Sequence, residues 1–216
     1  MTTRKATPAT APARCRWTLN GSDLYLEYHD TEWGVPAWDD ATQFEFLILE
    51  GAQAGLSWAT ILNKREGYRE AFQGFDPERM ARYGKREITK LMNNPGIVRN
   101  RLKIEAAIGN ARAYLEFQES QGGFARHLWS FVGGQPLQHD IRLHERVPAT
   151  SPESDALSKD LKRRGFRFVG STILYAHMQA TGMVNDHLTG CFRHQEVKLL
   201  ARRSEAGAAR QARARR

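Results

Sequence analysis

Apolar residues in this chain recur at three- and four-residue steps, the spacing of an amphipathic helix, and no two segments alternate convincingly as paired strands. Asp39 and Asp40 precede Phe44, Leu47 and Ile48, which predicts a helix with acidic residues at its start and Leu49 and Glu50 at its end. Ser57 is placed to cap a second helix whose face is Trp58, Ile61, Leu62, Arg65, Tyr68 and Phe72, so residues 54–57 read as the turn between the two. Asp76-Pro77 predicts an N-cap with a first-turn proline and a short helix to about Tyr83-Gly84, and Lys85 to Met92 makes another. Asn93-Asn94-Pro95-Gly96 forces a tight turn before a long helix from about Ile97 to Glu119, closed by Gly122-Gly123. Then come a helix over 124–132, an irregular stretch through Pro148, a helix capped by Ser154 and stopped by Gly165, and a last one from Ser171 to Thr181. The fold class this predicts is all-α.

The two ends break the pattern. Residues 1–14 and 198–216 are rich in Ala, Arg, Thr and Pro with almost no large apolar residues, so they cannot offset the entropy of ordering and are expected to be a disordered basic arm and tail around a domain at 15–197. They carry +3 and +6 of the formal net charge of +8, which leaves the body at about −1. Such ends serve either as electrostatic arms for DNA or only as solubilising extensions. Within the body, Arg99, Arg101 and Lys103, and separately Lys162, Arg163, Arg164 and Arg167, form local patches able to hold a phosphate backbone. No apolar run approaches membrane-spanning length, and Met-Thr-Thr-Arg-Lys at the start offers no secretory signal, so a cytosolic, reducing setting is expected.

Candidate chemistry lies at three places. Cys15, His29, His187 and Cys191 are both cysteines and two of the seven histidines, near opposite ends of the chain. Cys₂His₂ is a standard set for one tetrahedral Zn²⁺, and four protein ligands leave no open position for water, so this constellation predicts a structural staple. Two unrelated buried thiols, or a Cys15–Cys191 disulfide, are the rival readings. Glu50 follows Phe46, Leu47, Ile48 and Leu49, so its carboxylate is expected to be partly desolvated, and Tyr25, Tyr28, Trp33 and Trp58 supply rings close to it or to His29. The 93–96 turn, with Arg99 and Arg101 after it, presents amides and charge to a phosphate, a weak signal by itself.

Tyr-His-Asp-Thr-Glu-Trp-Gly-Val-Pro at 28–36, Leu-Glu-Gly-Ala-Gln-Ala-Gly-Leu-Ser-Trp at 49–58 and Val-Asn-Asp-His with Cys191 closely resemble the 3-methyladenine DNA glycosylase I family, over about residues 15–194. The resemblance implies a helix-hairpin-helix glycosylase-type fold with a base pocket between two interlocked helical subdomains and a zinc site at the four residues already named. It makes Glu50 the pocket carboxylate, assigns the base-stacking rings to Tyr28 and Trp58 with Trp33 and Tyr25 beside them, and places Gly55 and Leu56 against the space an extruded nucleotide leaves. Pro95, Gly96, Arg99, Arg101 and Lys103 would anchor the duplex. The implied activity is monofunctional hydrolysis of the N-glycosidic bond of 3-methyladenine in alkylated double-stranded DNA, by a cytoplasmic, nucleoid-associated monomer.

Residue chemistry agrees with that reading. A purine methylated at N3 is already cationic, so its bond to the sugar is weakened and the site must recognise more than activate. Electron-rich rings favour such a base, and Glu50 supplies an acceptor. Many glycosylases of this fold carry an essential Asp about twenty residues past the hairpin, yet no Asp lies between Asp76 and Asp140. Only Lys103 stands near the position of a lyase nucleophile, and lyase activity is not expected. Two other classes remain open from sequence: a non-catalytic DNA-binding protein, in which Glu50 is dispensable, and a zinc hydrolase, in which one of the four ligands is absent from the metal.

Overall fold

A computed structural model describes residues 12–201, and they form an almost wholly helical protein. In chain order the helices are α1 (Asp23–Thr31), α2 (Asp40–Gln53), α3 (Trp58–Leu62), α4 (Arg65–Ala71), α5 (Pro77–Ala81), α6 (Lys85–Met92), α7 (Arg101–Ser120), α8 (Phe124–Ser130), α9 (Pro152–Arg163) and α10 (Ser171–Ala180). Residues 192–201 are helical as well.

The organising element is α2. Asp39 caps it by accepting from the Thr42 N–H, and almost every residue from Gln43 to Ala52 is buried. Phe44, Leu47, Ile48 and Leu49 join the main core with α4 to α10, while Phe46 packs into a smaller cluster with Cys15, Tyr28, Trp33, Leu62, Ala180 and Cys191. Glu50 therefore hangs from a helix with packed side chains on both sides.

The structure differs from the sequence pattern at identifiable points. Ser57 caps α3 by accepting from the Thr60 N–H, but the helix expected to continue to Phe72 breaks at Asn63–Lys64 and restarts as α4. The long helix begins at Arg101, not Ile97. Asn100 is extended and caps it through its side chain, the Val98 N–H donates to the Tyr68 hydroxyl, and Ile97 is buried, so residues 97–100 are held as extended chain by contacts distant in sequence. Ser151, not Ser154, is the N-cap of α9; Ser154 is its capping-box partner. Two short strands, β1 (Leu137–Gln138) and β2 (Val184–Asn185), pair in parallel, a contact between segments too short to show any alternation.

The turn between α6 and α7 lies close against α4. A Cβ on Gly67 would come within 2.4 Å of the Gly96 carbonyl oxygen, so only a glycine lets the two backbones approach this far. Lys64 donates to the Pro95 carbonyl at 2.6 Å.

The described parts of the two ends are ordered. Arg14 donates to both oxygens of Asp30, from Nε at 2.9 Å and from Nη2 at 2.6 Å, and residues 198–201 continue the last helix with Ala201 buried. Residues 12–14 and 198–201, expected from sequence to belong to the basic arm and tail, make these contacts. The rest of the arm and tail lies outside the described residues. No helix among the described residues is long and apolar enough to cross a membrane.

Candidate functional site

The ends of the chain meet at Cys15, His29, His187 and Cys191, all buried, with one ligand atom from each lying within 4.8 Å of the others. Cys15 Sγ is 3.5 Å from His187 Nδ1, and Cys191 Sγ is 3.5 Å from His29 Nε2 and 3.6 Å from His187 Nδ1. A tetrahedron with metal–sulfur bonds of about 2.3 Å and metal–nitrogen bonds of about 2.05 Å has sulfur–nitrogen edges of about 3.6 Å. The observed edges match it.

The opposite ring nitrogens fix the tautomers. His187 Nε2 lies 2.9 Å from the Trp33 carbonyl, which can only accept, so the nitrogen carries the proton and Nδ1 turns its lone pair to the cluster. His29 Nδ1 donates to Asp30 at 2.7 Å, and Arg14 with His29 holds that carboxyl below its usual range. Orientation of ligating histidines by a carboxylate and a backbone carbonyl is the usual support for a metal site. Gly34, at φ +80°, makes one of these contacts possible, since a Cβ there would sit 3.1 Å from the His187 ring.

Beside the cluster lies a cavity of about 190 Å³ lined by Tyr25, Tyr28, Trp33, Glu50 and Trp58, with Cys15 in its wall. Against drug-sized pockets of about 300–1,000 Å³ it is small and suits a single ring system. Each lining position has a local cause. Ser22 caps α1, a helix not placed from sequence, which turns Tyr25 and Tyr28 to one side. Trp33 packs on the His187 ring at 4.6 Å, so the cluster sets its position. Tyr28 lies 5.4 Å from Trp58, Phe46 stacks on Trp58 at 6.2 Å, and the Arg65 guanidinium lies over the Phe46 ring at 5.0 Å.

Two polar atoms in this wall find no partner among the described residues: Glu50 Oε2 and Trp58 Nε1, both buried. Burial pushes the Glu50 carboxyl up to about 8, and it raises Tyr28 well above the usual phenol value, with the nearby Glu50 charge adding to the effect. A buried acceptor and a buried donor without a partner cost free energy unless a ligand or water meets them.

Sequence reasoning missed Trp17, Gln53, His144, Val147, Ala176, Gln179, Asp186 and Leu188, which also line the cavity. Trp17, two residues after Cys15, carried a usable signal because a metal ligand would fix its backbone; the others converge from α2, α10 and two loops. Asp186 is buried and accepts from His139 at 2.6 Å, Tyr175 at 2.8 Å and Gln179 at 2.8 Å, so unlike Glu50 it is well supplied with donors.

The residues assigned to DNA divide. Gly55 (φ +75°) and Leu56 form an exposed turn after α2, and Arg99 and Arg101 are exposed, Arg101 with a loose ion pair to Glu105 at 3.5 Å. Pro95 is exposed and Gly96 half-buried in the turn against α4. Lys103 is half-buried, and its ammonium donates to the carbonyls of Ala52 and Ala54.

The fold and the cavity define a class, a helical protein with a buried Cys₂His₂ cluster beside a small, mostly aromatic pocket. Residues 17–194 match the family described as methyladenine glycosylase. The DNA-3-methyladenine glycosylase 1 of Escherichia coli K12 is 49% identical over 178 residues, 82% of this chain and 95% of that protein. A crystal structure of a 3-methyladenine DNA glycosylase I superposes with a TM-score of 0.82 at 51% identity, covering 83% of this chain and 98% of the other. A Staphylococcus aureus structure that describes recognition of 3-methyladenine has a TM-score of 0.78 at 39% identity, over 80% and 92% of the two chains. This chain belongs to the 3-methyladenine DNA glycosylase I family.

Proposed function

We propose that this protein excises 3-methyladenine from alkylated double-stranded DNA, as a monofunctional glycosylase that captures the flipped base in the cavity between Tyr28 and Trp58. The observation that carries the reading is the pair of unpartnered buried atoms, Glu50 Oε2 and Trp58 Nε1, in an otherwise aromatic wall. A base cationic through N3 methylation offers π-stacking and cation–π attraction to the rings, donors to Glu50 and ring nitrogens to the Trp58 N–H. Stacking is worth on the order of 1–3 kcal/mol per base, comparable with the few kcal/mol that flipping costs.

The chemistry follows from the charge. When the C1′–N9 bond breaks, its electron pair passes into the ring and neutralises the cation, so 3-methyladenine leaves without a proton being delivered to it. Water then adds at C1′ and loses a proton, which leaves an abasic sugar. Glu50 holds the base and its ionised form favours the cation, while Phe46 and Tyr28 help keep water from its carboxyl.

Cys15, His29, His187 and Cys191 would hold one Zn²⁺ per chain. Bound there it supplies cross-linking of the two ends and no open coordination site. The α6–turn–α7 segment is read as the helix-hairpin-helix anchor, with Gly96 and Arg99 toward the duplex and Leu56 entering the space of the flipped nucleotide. The domain is read as 15–197, acting as a monomer in the cytoplasm, at the nucleoid.

Incubation with methylated duplex DNA and chromatography of the released bases tests the reading. Release of 3-methyladenine with formation of abasic sites is expected, reduced by about two orders of magnitude in Glu50→Gln, in line with the loss of one preorganised electrostatic partner. Binding of methylated duplex with no base released would instead make the chain a DNA-binding module.

A further inference from the structure

One side chain reaches from the start of α7 to the end of α2. Lys103, in the first turn of α7, donates from Nζ to the carbonyl of Ala52 at 2.8 Å and to that of Ala54 at 2.6 Å. These carbonyls lie at the C-terminal end of α2, where a helix leaves acceptors open and where a cation meets the negative end of its dipole. Burial draws the Lys103 ammonium below its ordinary pKa, as expected for a group directed into the protein.

The two things it connects are the two halves of the proposed reaction. Ala52 follows Glu50 by two residues, and Ala54 directly precedes the exposed Gly55–Leu56 turn. On the other side, Asn100 caps α7 directly after the exposed Arg99, and Arg101 and Leu102 open the helix exposed. A flipped nucleotide reaches the cavity only if the grip on its backbone and the pocket stand at the right offset, and misplacement of about 1 Å can cost about a hundredfold in rate.

We infer that Lys103 is a positioning residue that sets the register between the DNA-holding turn and the base pocket, and that it touches neither phosphate nor the reacting base. The inference rests on the function proposed above. It separates Lys103 from Arg99 and Arg101, its neighbours in a basic run that looks uniform in sequence.

The test compares wild type, Lys103→Met and Lys103→Arg in three measurements: single-turnover release of 3-methyladenine from methylated duplex at saturating enzyme, binding of free 3-methyladenine, and the salt dependence of duplex affinity. Lys103→Met is expected to slow release roughly ten- to a hundredfold, with free-base affinity and salt slope unchanged, and Lys103→Arg to recover most of the rate. A salt slope shallower by about 0.9 in Lys103→Met would mean that Lys103 meets a phosphate and would overturn the inference. Free-base binding weakened in proportion to release would also overturn it, because Lys103 would then be holding up the pocket itself. If Lys103→Met does not fold, Lys103→Gln takes its place, with the same expected and contrary results. A wild type that releases no base would sink the proposed function, whereas an active wild type matched by Lys103→Met would sink only the role of Lys103.

Discussion

The Cys/His cluster and the base cavity share Cys15 as a wall, yet they treat their polar atoms in opposite ways. In the cluster, each histidine is tied at its outer nitrogen, to Asp30 or to the Trp33 carbonyl, and three sulfur–nitrogen distances between the inner atoms are 3.5–3.6 Å. In the cavity wall, Glu50 and Trp58 each keep a buried polar atom with no partner among the described residues. A site whose ligand side chains are oriented by the protein itself suits a structural role. A site that leaves costly atoms bare holds its binding capacity in reserve for something that arrives.

The largest effect should come from breaking the satisfied site. Cys191→Ala removes one corner of the proposed zinc staple between residues far apart in sequence, and a loss on the order of 3–5 kcal/mol is expected, less than the roughly 10–16 kcal/mol of zinc-dependent peptides because the helical core is already formed. Thermal melting should show a Tm lower by about 10 °C, and a chelator should bring wild type toward the same value. A variant that melts with wild type would remove the cluster from the account of stability.

Breaking the unsatisfied site should have the opposite sign. Folded Glu50 titrates at about 8 and the unfolded carboxyl at 4.5, so the folded state holds its proton more tightly. The associated stability is complete below pH 4.5 and is lost as pH rises toward 8, at up to about 1.4 kcal/mol per pH unit. Glu50→Gln lacks this slope. Urea unfolding at pH 6 and pH 8 should therefore show wild type losing about 2 kcal/mol relative to Glu50→Gln; parallel curves would mean that the carboxyl is not desolvated.

A sharper comparison perturbs only the support of the cluster. Asp30→Asn keeps the shape but weakens the carboxylate that orients His29, and metal affinity should fall by at least tenfold, measured by competition with a chromogenic chelator, while base excision in metal-saturated protein stays within about twofold. Equal metal affinity would make the Asp30–His29 contact incidental.

Much of this contrast was legible in the chain, for physical reasons that differ by residue. Cysteine and histidine are few, so four of them at suitable spacing stand out, and Glu50 stands out because a carboxylate ends an apolar run. The α2 cap at Asp39 and the Asp76-Pro77 start were legible because capping is local. What was not legible is set by distant contacts. The extended stretch at 97–100 depends on Tyr68, the parallel strand pair joins residues 137–138 to 184–185, and the cavity's far wall of Ala176, Gln179 and Asp186 comes from an element that sequence reads only as one more helix. Lys103 shows the limit most clearly, since composition places it with Arg99 and Arg101 and only the fold turns its ammonium inward.

The smallest expected effect concerns the ends. Removing residues 1–11 and 202–216 takes away +7 of formal charge, and if those segments touch phosphate the slope of log affinity against log salt should become shallower by about 0.9 for each phosphate they had neutralised. Excision from a saturated complex should not change. An unchanged slope would leave duplex binding to the ordered part of the chain.

The most direct test of the central claim, that Glu50 is left bare to receive a cationic base, is the pH dependence of kcat/KM for 3-methyladenine release from methylated duplex, which reports the ionisations of the free enzyme. The ionised carboxylate is the form that favours the cation, so in wild type kcat/KM should rise with pH and level off above about 8, while Glu50→Gln should be low and flat over the same range. A wild-type profile that is flat, or one that Glu50→Gln reproduces, would contradict it.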